Sequence, residues 1–220
     1  MMLPKWWPAD KPYQMRDCIE GMRELPGDSI DMVMMDPVWP GCTAKLMGMD
    51  RAEELFKDVM GEVGRITKRL VVHLGCDTDP RLLRYVPTDL EFRRVFWLEY
   101  VTPTHKGRIL YTSDVAYLFG ELPKRLGKLR VIPGRCVDAS RGGREARHPC
   151  PRKINHVKYL VEKCTNPGEI VLDPFLGSGT TLLACRETGR VGLGFEINKE
   201  YEKMIHERSM ENIPRVEEYF

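Results

Sequence analysis

The 220-residue sequence has no apolar run near the roughly 18 residues that a membrane-spanning helix needs. Its opening residues, MMLPKWWPADKP, put proline and charge where a secretion signal carries its apolar stretch, so the expectation is a cytoplasmic chain. The seven cysteines, at 18, 42, 76, 136, 150, 164 and 185, form no C-x-x-C pair and no Cys/His cluster. That spacing argues against structural zinc, and the odd count points to reduced, mostly buried thiols. Internal repeats and low-complexity tracts are absent, and the length suits one domain rather than two. Excess charge is lacking too, because 34 Lys and Arg against 32 Asp and Glu leave a net charge of only +2. Overall charge therefore does not announce a nucleic-acid partner.

Its distribution says more. Ten basic residues lie between Lys124 and Lys153, among them Arg130, Arg135, Arg141, Arg144 and Arg147, opposed only by Asp138 and Glu145. A basic segment in a near-neutral chain suits a phosphate-facing surface. Short apolar runs alternate with helical patterns, the pattern of an α/β sheet with helices on its faces. Strands are expected at Ile30–Met35, Leu70–Leu74, Val95–Val101, Val115–Phe119, Glu169–Leu172 and Val191–Phe195. Helices are expected at Ala52–Lys68, Ile154–Cys164, Thr180–Thr188 and Lys199–Asn212, the first with Leu55, Val59, Val63 and Ile66 at helical spacing. Gly134–Pro151, rich in Arg, Gly and Pro, reads as a long loop.

The strongest local signal is EIVLDPFLGSGTT, from Glu169 to Thr181. A β-branched run ends at Asp173, the turn Gly177-Ser178-Gly179 follows, and a helix opens at Thr180. In a doubly wound sheet such a strand–turn–helix brings backbone N–H groups to a ligand at the carboxyl edge. The turn has neither the lysine of a P-loop nor a G-x-G-x-x-G pattern, which counts against NTPase and nicotinamide readings. Glu196 ends the strand after the turn, at the distance where nucleoside-binding folds place an acid that accepts from ribose hydroxyls.

A second constellation, Asp36-Pro37-Val38-Trp39-Pro40, also follows an apolar strand. An exocyclic base amine is a poor nucleophile, because its lone pair is delocalised into the ring. A carboxylate and a backbone carbonyl accepting its two N–H groups would localise that pair, and an aromatic ring would stack on the extruded base.

In this order the two motifs resemble those of the DNA amino-methyltransferases, the family that makes N6-methyladenine and N4-methylcytosine. Asp173–Thr181 matches its cofactor motif D-P-F-x-G-S-G-T-T throughout, and Asp36–Trp39 resembles its catalytic D-P-P-Y, with Val38 at the second proline and Trp39 at the aromatic. Having the catalytic motif first resembles the circularly permuted β arrangement. His148-Pro149-Cys150-Pro151-Arg152-Lys153 is similar to the family's H-P-x-x-K-P element, which packs beside the methionine part of the cofactor. The likeness runs from about residue 13 to 212.

The resemblance implies a single Rossmann-like methyltransferase domain over residues 1–220. Its sheet is largely parallel and seven-stranded, with one antiparallel edge strand and helices on both faces. It implies S-adenosylmethionine, held by Asp17, His148, Asp173, Phe175, Gly177, Ser178, Gly179, Thr180, Thr181 and Glu196. It also implies catalysis by Asp36, Pro37 and Trp39 without a metal, by a free enzyme or one paired with a restriction nuclease. The leading aspartate resembles the adenine-modifying members. A small target-recognition insert falls around 102–147, where His105, Lys106, Arg108, Arg130, Arg135, Arg141, Arg144 and Arg147 face nucleic acid. Alternatives are an N4-cytosine enzyme, an RNA adenine enzyme and a non-catalytic partner subunit, and a homodimer is possible. A 5-methylcytosine mechanism is disfavoured, because Pro149-Cys150 precedes the cofactor strand instead of following the catalytic one.

Overall fold

The structure is a computed structural model, and it describes residues 4–37, 51–75, 78–124, 131–138 and 152–210. Its strands are β1 (Tyr13–Met15), β2 (Met32–Met35), β3 (Arg69–Leu74), β4 (Phe92–Lys106), β5 (Ile109–Gly120), β6 (Arg135–Asp138), β7 (Ile170–Asp173) and β8 (Val191–Glu196). The α-helices are α1 (Cys18–Arg23), α2 (Ala52–Ile66), α3 (Ile154–Cys164), α4 (Thr180–Glu187) and α5 (Glu202–Met210). One sheet takes the order β1-β8-β7-β2-β3-β5-β4-β6. All neighbouring pairs are parallel except the two that β5 makes, with β3 and with β4.

The unbroken apolar run of β2 reflects burial on both faces. Val33 and Met35 join a cluster with Phe56, Val59, Val63 and Ile66 of α2 and Met22 of α1. Met32 and Met34 join a second cluster with Val157, Leu160 and Val161 of α3 and Ala184 and Cys185 of α4. Successive strand residues point to opposite faces, so two helical layers are filled from one strand. Helix α2 stops at Ile66 because Thr67 turns extended, φ −143° and ψ 155°, to bridge Ile30.

The expectation of seven strands with an antiparallel strand at the edge is corrected here. Among the described residues the sheet has eight strands, and the antiparallel β5 lies inside, between β3 and β4. Strand β1 has only three residues, too few to show a period. Strand β6 falls within the expected loop Gly134–Pro151, where Arg135 to Asp138 pair parallel with Trp97 to Tyr100. Four residues between Gly134 and the Arg/Gly-rich run carry no readable alternation. The last helix also differs: Lys199–Tyr201 is a 3-10 turn, and α5 follows from Glu202.

Strands β4 and β5 are much longer than their apolar cores. Leu74, the end of β3, pairs with Val115, yet the hairpin continues through Thr104↔Tyr111 to a turn where Gly107 has φ +60°. At about 3.3 Å per residue the tip reaches roughly 20 Å past the end of β3. That end is the carboxyl edge of the parallel strands.

Candidate active site

Strands β2 and β7 are neighbours in parallel, with Met32 opposite Val171 and Val33 opposite Leu172. From β7 the chain passes through α4 to β8 on one side; from β2 it reaches β3 through α2 on the other. The crossover helices lie on opposite faces. Such a reversal opens a crevice beyond the carboxyl ends of the two strands, the place where open α/β sheets bind ligands. Both sequence constellations, Asp36-Pro37 and the turn after Asp173, leave from that edge.

On the β7 side the turn is held from within. Asp173 is 4% exposed; it accepts from the Phe175 backbone N–H at 2.9 Å and the Thr181 hydroxyl at 2.5 Å. Burial pushes its carboxyl up to about 7 against those two hydrogen bonds, with the Asp36 and Glu196 charges adding to the rise. Ser178, Thr180 and Thr181 are also buried. Arg208 of α5 donates to the Ser178 carbonyl at 3.0 Å and to the Ser178 and Thr180 hydroxyls at 2.9 Å each. Gly177 and Gly179 take φ +50° and +77°, a region costly to residues with a Cβ.

Glu196, at the end of β8, accepts from the Gly177 N–H at 2.7 Å through one oxygen and from the Asn198 N–H at 2.8 Å through the other. Burial raises its carboxyl above the usual value. Across the parallel pair Met15↔Glu196, Asp17 follows β1 and caps α1, accepting from the Ile19 and Glu20 N–H groups. Two acceptor-only carboxylates at adjacent strand ends fit a ligand that presents donors, such as a ribose diol and an amino-purine. The donor set therefore suits a nucleoside cofactor.

On the β2 side Asp36 lies half-buried, its side chain 26% exposed. Arg152 grips it with both ends of the carboxylate: Nε donates to Oδ2 and Nη2 to Oδ1, each at 2.6 Å. The third nitrogen, Nη1, donates to Asp114 Oδ2 of β5 at 2.7 Å. Burial alone would raise Asp114, but the Arg152 charge, with His73 and Tyr100, outweighs it and holds the carboxyl well below the usual range. His73 Nε2 stands 3.5 Å from Asp114, long for a hydrogen bond.

A profile of the N6/N4 DNA methylase family matches residues 76–207. The chain belongs to this family. Among curated relatives, the type II methyltransferase M.HpaI of Haemophilus parainfluenzae is 26% identical, the match covering 87% of this chain and 72% of M.HpaI. The DNA adenine methyltransferase YhdJ of Escherichia coli is also 26% identical, over 86% of this chain and 79% of YhdJ. Among solved structures, the cytosine-N4-specific PvuII DNA methyltransferase superposes with a TM-score of 0.69 at 17% identity, covering 96% of this chain and 93% of that one. M1.HpyAVI, solved with SAM, gives 0.66 at 19% identity, covering 89% and 97%. These likenesses establish the Rossmann-like methyltransferase fold in which the amino-methylase motifs sit.

Of the residues expected in the site, Asp17, Asp36, Pro37, Asp173, Phe175, Gly177, Ser178, Gly179, Thr180, Thr181 and Glu196 gather on the carboxyl-edge side of β1, β8, β7 and β2. His105, Lys106 and Arg108 lie at the far end of the β4–β5 hairpin instead. Arg135 stands on β6, in a bidentate pair with Glu99 at 2.7 and 2.8 Å. Val38, Trp39, Arg130, Arg141, Arg144, Arg147 and His148 lie outside the described residues. Three contributors escaped the sequence reading. Arg152 had a signal, since it holds the lysine place of H-P-x-x-K-P, and Asp114 is an acid inside the apolar strand SDVAYLF. Arg208, on an unremarkable polar helix, had none.

Proposed function

We propose that the protein transfers a methyl group from S-adenosylmethionine to the exocyclic amine of a base in DNA, adenine N6 being preferred to cytosine N4. The observation that carries this reading is the adjacency of β2 and β7, which brings the Asp36 turn and the Gly177–Thr181 turn to one crevice. When bound, S-adenosylmethionine supplies an electrophilic methyl on a sulfonium. Glu196 accepts from the ribose hydroxyls, and Asp17 serves the adenine end. Because Asp173, Ser178, Thr180 and Thr181 spend their side chains inside the turn, the backbone of Gly177–Thr181 is what meets the cofactor.

The target base leaves its stack to enter beside Asp36. Asp36 and the Pro37 carbonyl accept the two amine N–H groups, and Trp39 stacks on the ring. The nitrogen lone pair so aimed would take the methyl group from the sulfonium, leaving S-adenosylhomocysteine, and the surplus amine proton would pass to solvent. No hydrolysis is involved, so alignment supplies most of the catalysis. His148 lies with the cofactor, as the H-P-x-x-K-P likeness implies. His105, Lys106 and Arg108 on the hairpin, with the arginines from Arg130 to Arg147, carry phosphate contacts.

The test is transfer of labelled methyl to unmethylated DNA and to RNA, followed by nucleoside chromatography, with Asp36→Ala alongside. Label in N6-methyladenine from DNA, lost in the variant, is expected. Label in N4-methylcytosine or in RNA moves the substrate to that base or polymer. Cofactor binding without transfer to either polymer defeats the enzymatic reading and leaves a non-catalytic partner subunit.

A further inference from the structure

We propose that Arg152 is a positioning residue for the transfer step: braced from behind by Asp114, it fixes the plane of the Asp36 carboxylate and so decides which of its lone pairs meet the base amine. The proposal rests on the reading of Asp36 as the amine acceptor and goes beyond it to a group that does not touch substrate. Asp36 sits just past the end of β2, where nothing but its own side-chain torsions would set the carboxylate plane. The Arg152 fork removes that freedom, because two parallel N–H donors on two oxygens permit one orientation. A carboxylate has about four lone-pair directions. Two are taken on the Arg152 side, leaving those on the opposite side for an incoming amine.

The fork is itself immobilised. Arg152 is 10% exposed, stands two residues before α3, and gives its remaining nitrogen to Asp114, which is 7% exposed on β5. Among the described residues no second Lys or Arg pairs with Asp114; the His73 ring stands 3.5 Å away. The row Asp36–Arg152–Asp114 therefore ties the catalytic turn of β2 to β5 and to the start of α3. Lysine could keep the charge but not the two-oxygen geometry.

The measurement is steady-state methyl transfer by the full chain on its DNA substrate, with S-adenosylmethionine affinity read separately by calorimetry. The variants are Arg152→Lys, Arg152→Gln, Arg152→Ala and Asp114→Asn. Misplacing a reacting partner by an ångström can cost about 100-fold in rate, so Arg152→Gln should lower kcat by about that factor. Its KM for DNA and its cofactor Kd should stay within about threefold of wild type. Arg152→Lys should fall between, Asp114→Asn should lose roughly 10-fold in kcat, and guanidinium at tens of millimolar should restore part of the activity of Arg152→Ala. If the Arg152 variants do not fold, Asp114→Asn carries the test through the same split of kcat against KM. Arg152→Gln with kcat within threefold of wild type overturns the proposal while the function stands, and so does a loss that guanidinium does not relieve and that tracks lost cofactor binding. A wild-type protein that methylates neither DNA nor RNA overturns the functional reading, and this proposal falls with it.

Discussion

Asp36 and Glu196 are both acids at strand ends, yet they are bound to different duties. Asp36 faces a cation, whereas among the described residues Glu196 accepts from backbone N–H groups, and its remaining lone pairs suit neutral hydroxyl donors. Replacing Glu196 by Ala should weaken S-adenosylmethionine binding roughly 10- to 100-fold by calorimetry, since each lost hydrogen bond to a charged group is worth about 1.5–3 kcal/mol. Asp173 is different again, being enclosed and raised to about 7 by burial. Its folded value lies above the unfolded one, so its favourable contribution is complete below about pH 4 and fades as pH rises to about 7. Between pH 5 and pH 8 the wild type should therefore lose stability that Asp173→Asn keeps, by about 2–3 kcal/mol. Parallel thermal melts across that range check it, and identical slopes for the two proteins would defeat the assignment. These duties show what residue types alone could tell. The acids of the two motifs were legible because they end apolar strands. The pairing of Asp36 with Arg152 was not, since the partners are 116 positions apart in the chain and only the fold joins them.

Among the elements, the β4–β5 hairpin departs most from its sequence signature. Periodicity marked Val95–Val101 and Val115–Phe119 as strands, because there the side chains alternate into the core. Beyond them the pairing continues without a core: Ile109 and Leu110 are 61% and 63% exposed, and the backbone ladder alone defines the strand. Burial patterns cannot report such an arm. It rises on the same side of the sheet as Asp36 and the glycine turn and carries His105 and Arg108 toward its tip. Deleting Thr104–Tyr111 and closing on a short Gly turn should lower DNA affinity at least about 10-fold and flatten its salt dependence. S-adenosylmethionine affinity should not change, and calorimetry beside fluorescence anisotropy separates the two effects. The glycine turn is the opposite case, read almost completely from sequence. Gly179 needs φ +77°, and a Cβ there would come 3.3 Å from the Ile205 Cα. Gly179→Ala should cost about 1–2 kcal/mol in denaturant melts through the backbone alone.

At the scale of the molecule, the candidate site joins parts that are distant in sequence: the β7 turn, the end of β8, α5 through Arg208, and Asp17 after β1. A ligand that binds only this assembled form should stabilise the whole chain. At 100 times its Kd, S-adenosylmethionine should add about 2.7 kcal/mol, or roughly 5–10 °C in a thermal melt. The fold class was legible because apolar runs and helical spacing are strong in β2, β3, β7, β8 and α2. The edge strands β1 and β6 were not, because three- or four-residue strands draw their stability from a neighbour and leave almost no pattern of their own. The strand order has a consequence for how the molecule is made. Strands β7 and β8 leave the ribosome after β1 and β2, yet they fill the place between them. Until β7 has emerged, β2 must wait with one edge open, and until β8 has emerged β1 has no neighbour to pair with. The central seam of the sheet is thus closed last, so a nascent chain arrested after α3 should be caught by chaperones or proteases, whereas one arrested beyond α5 should resist them.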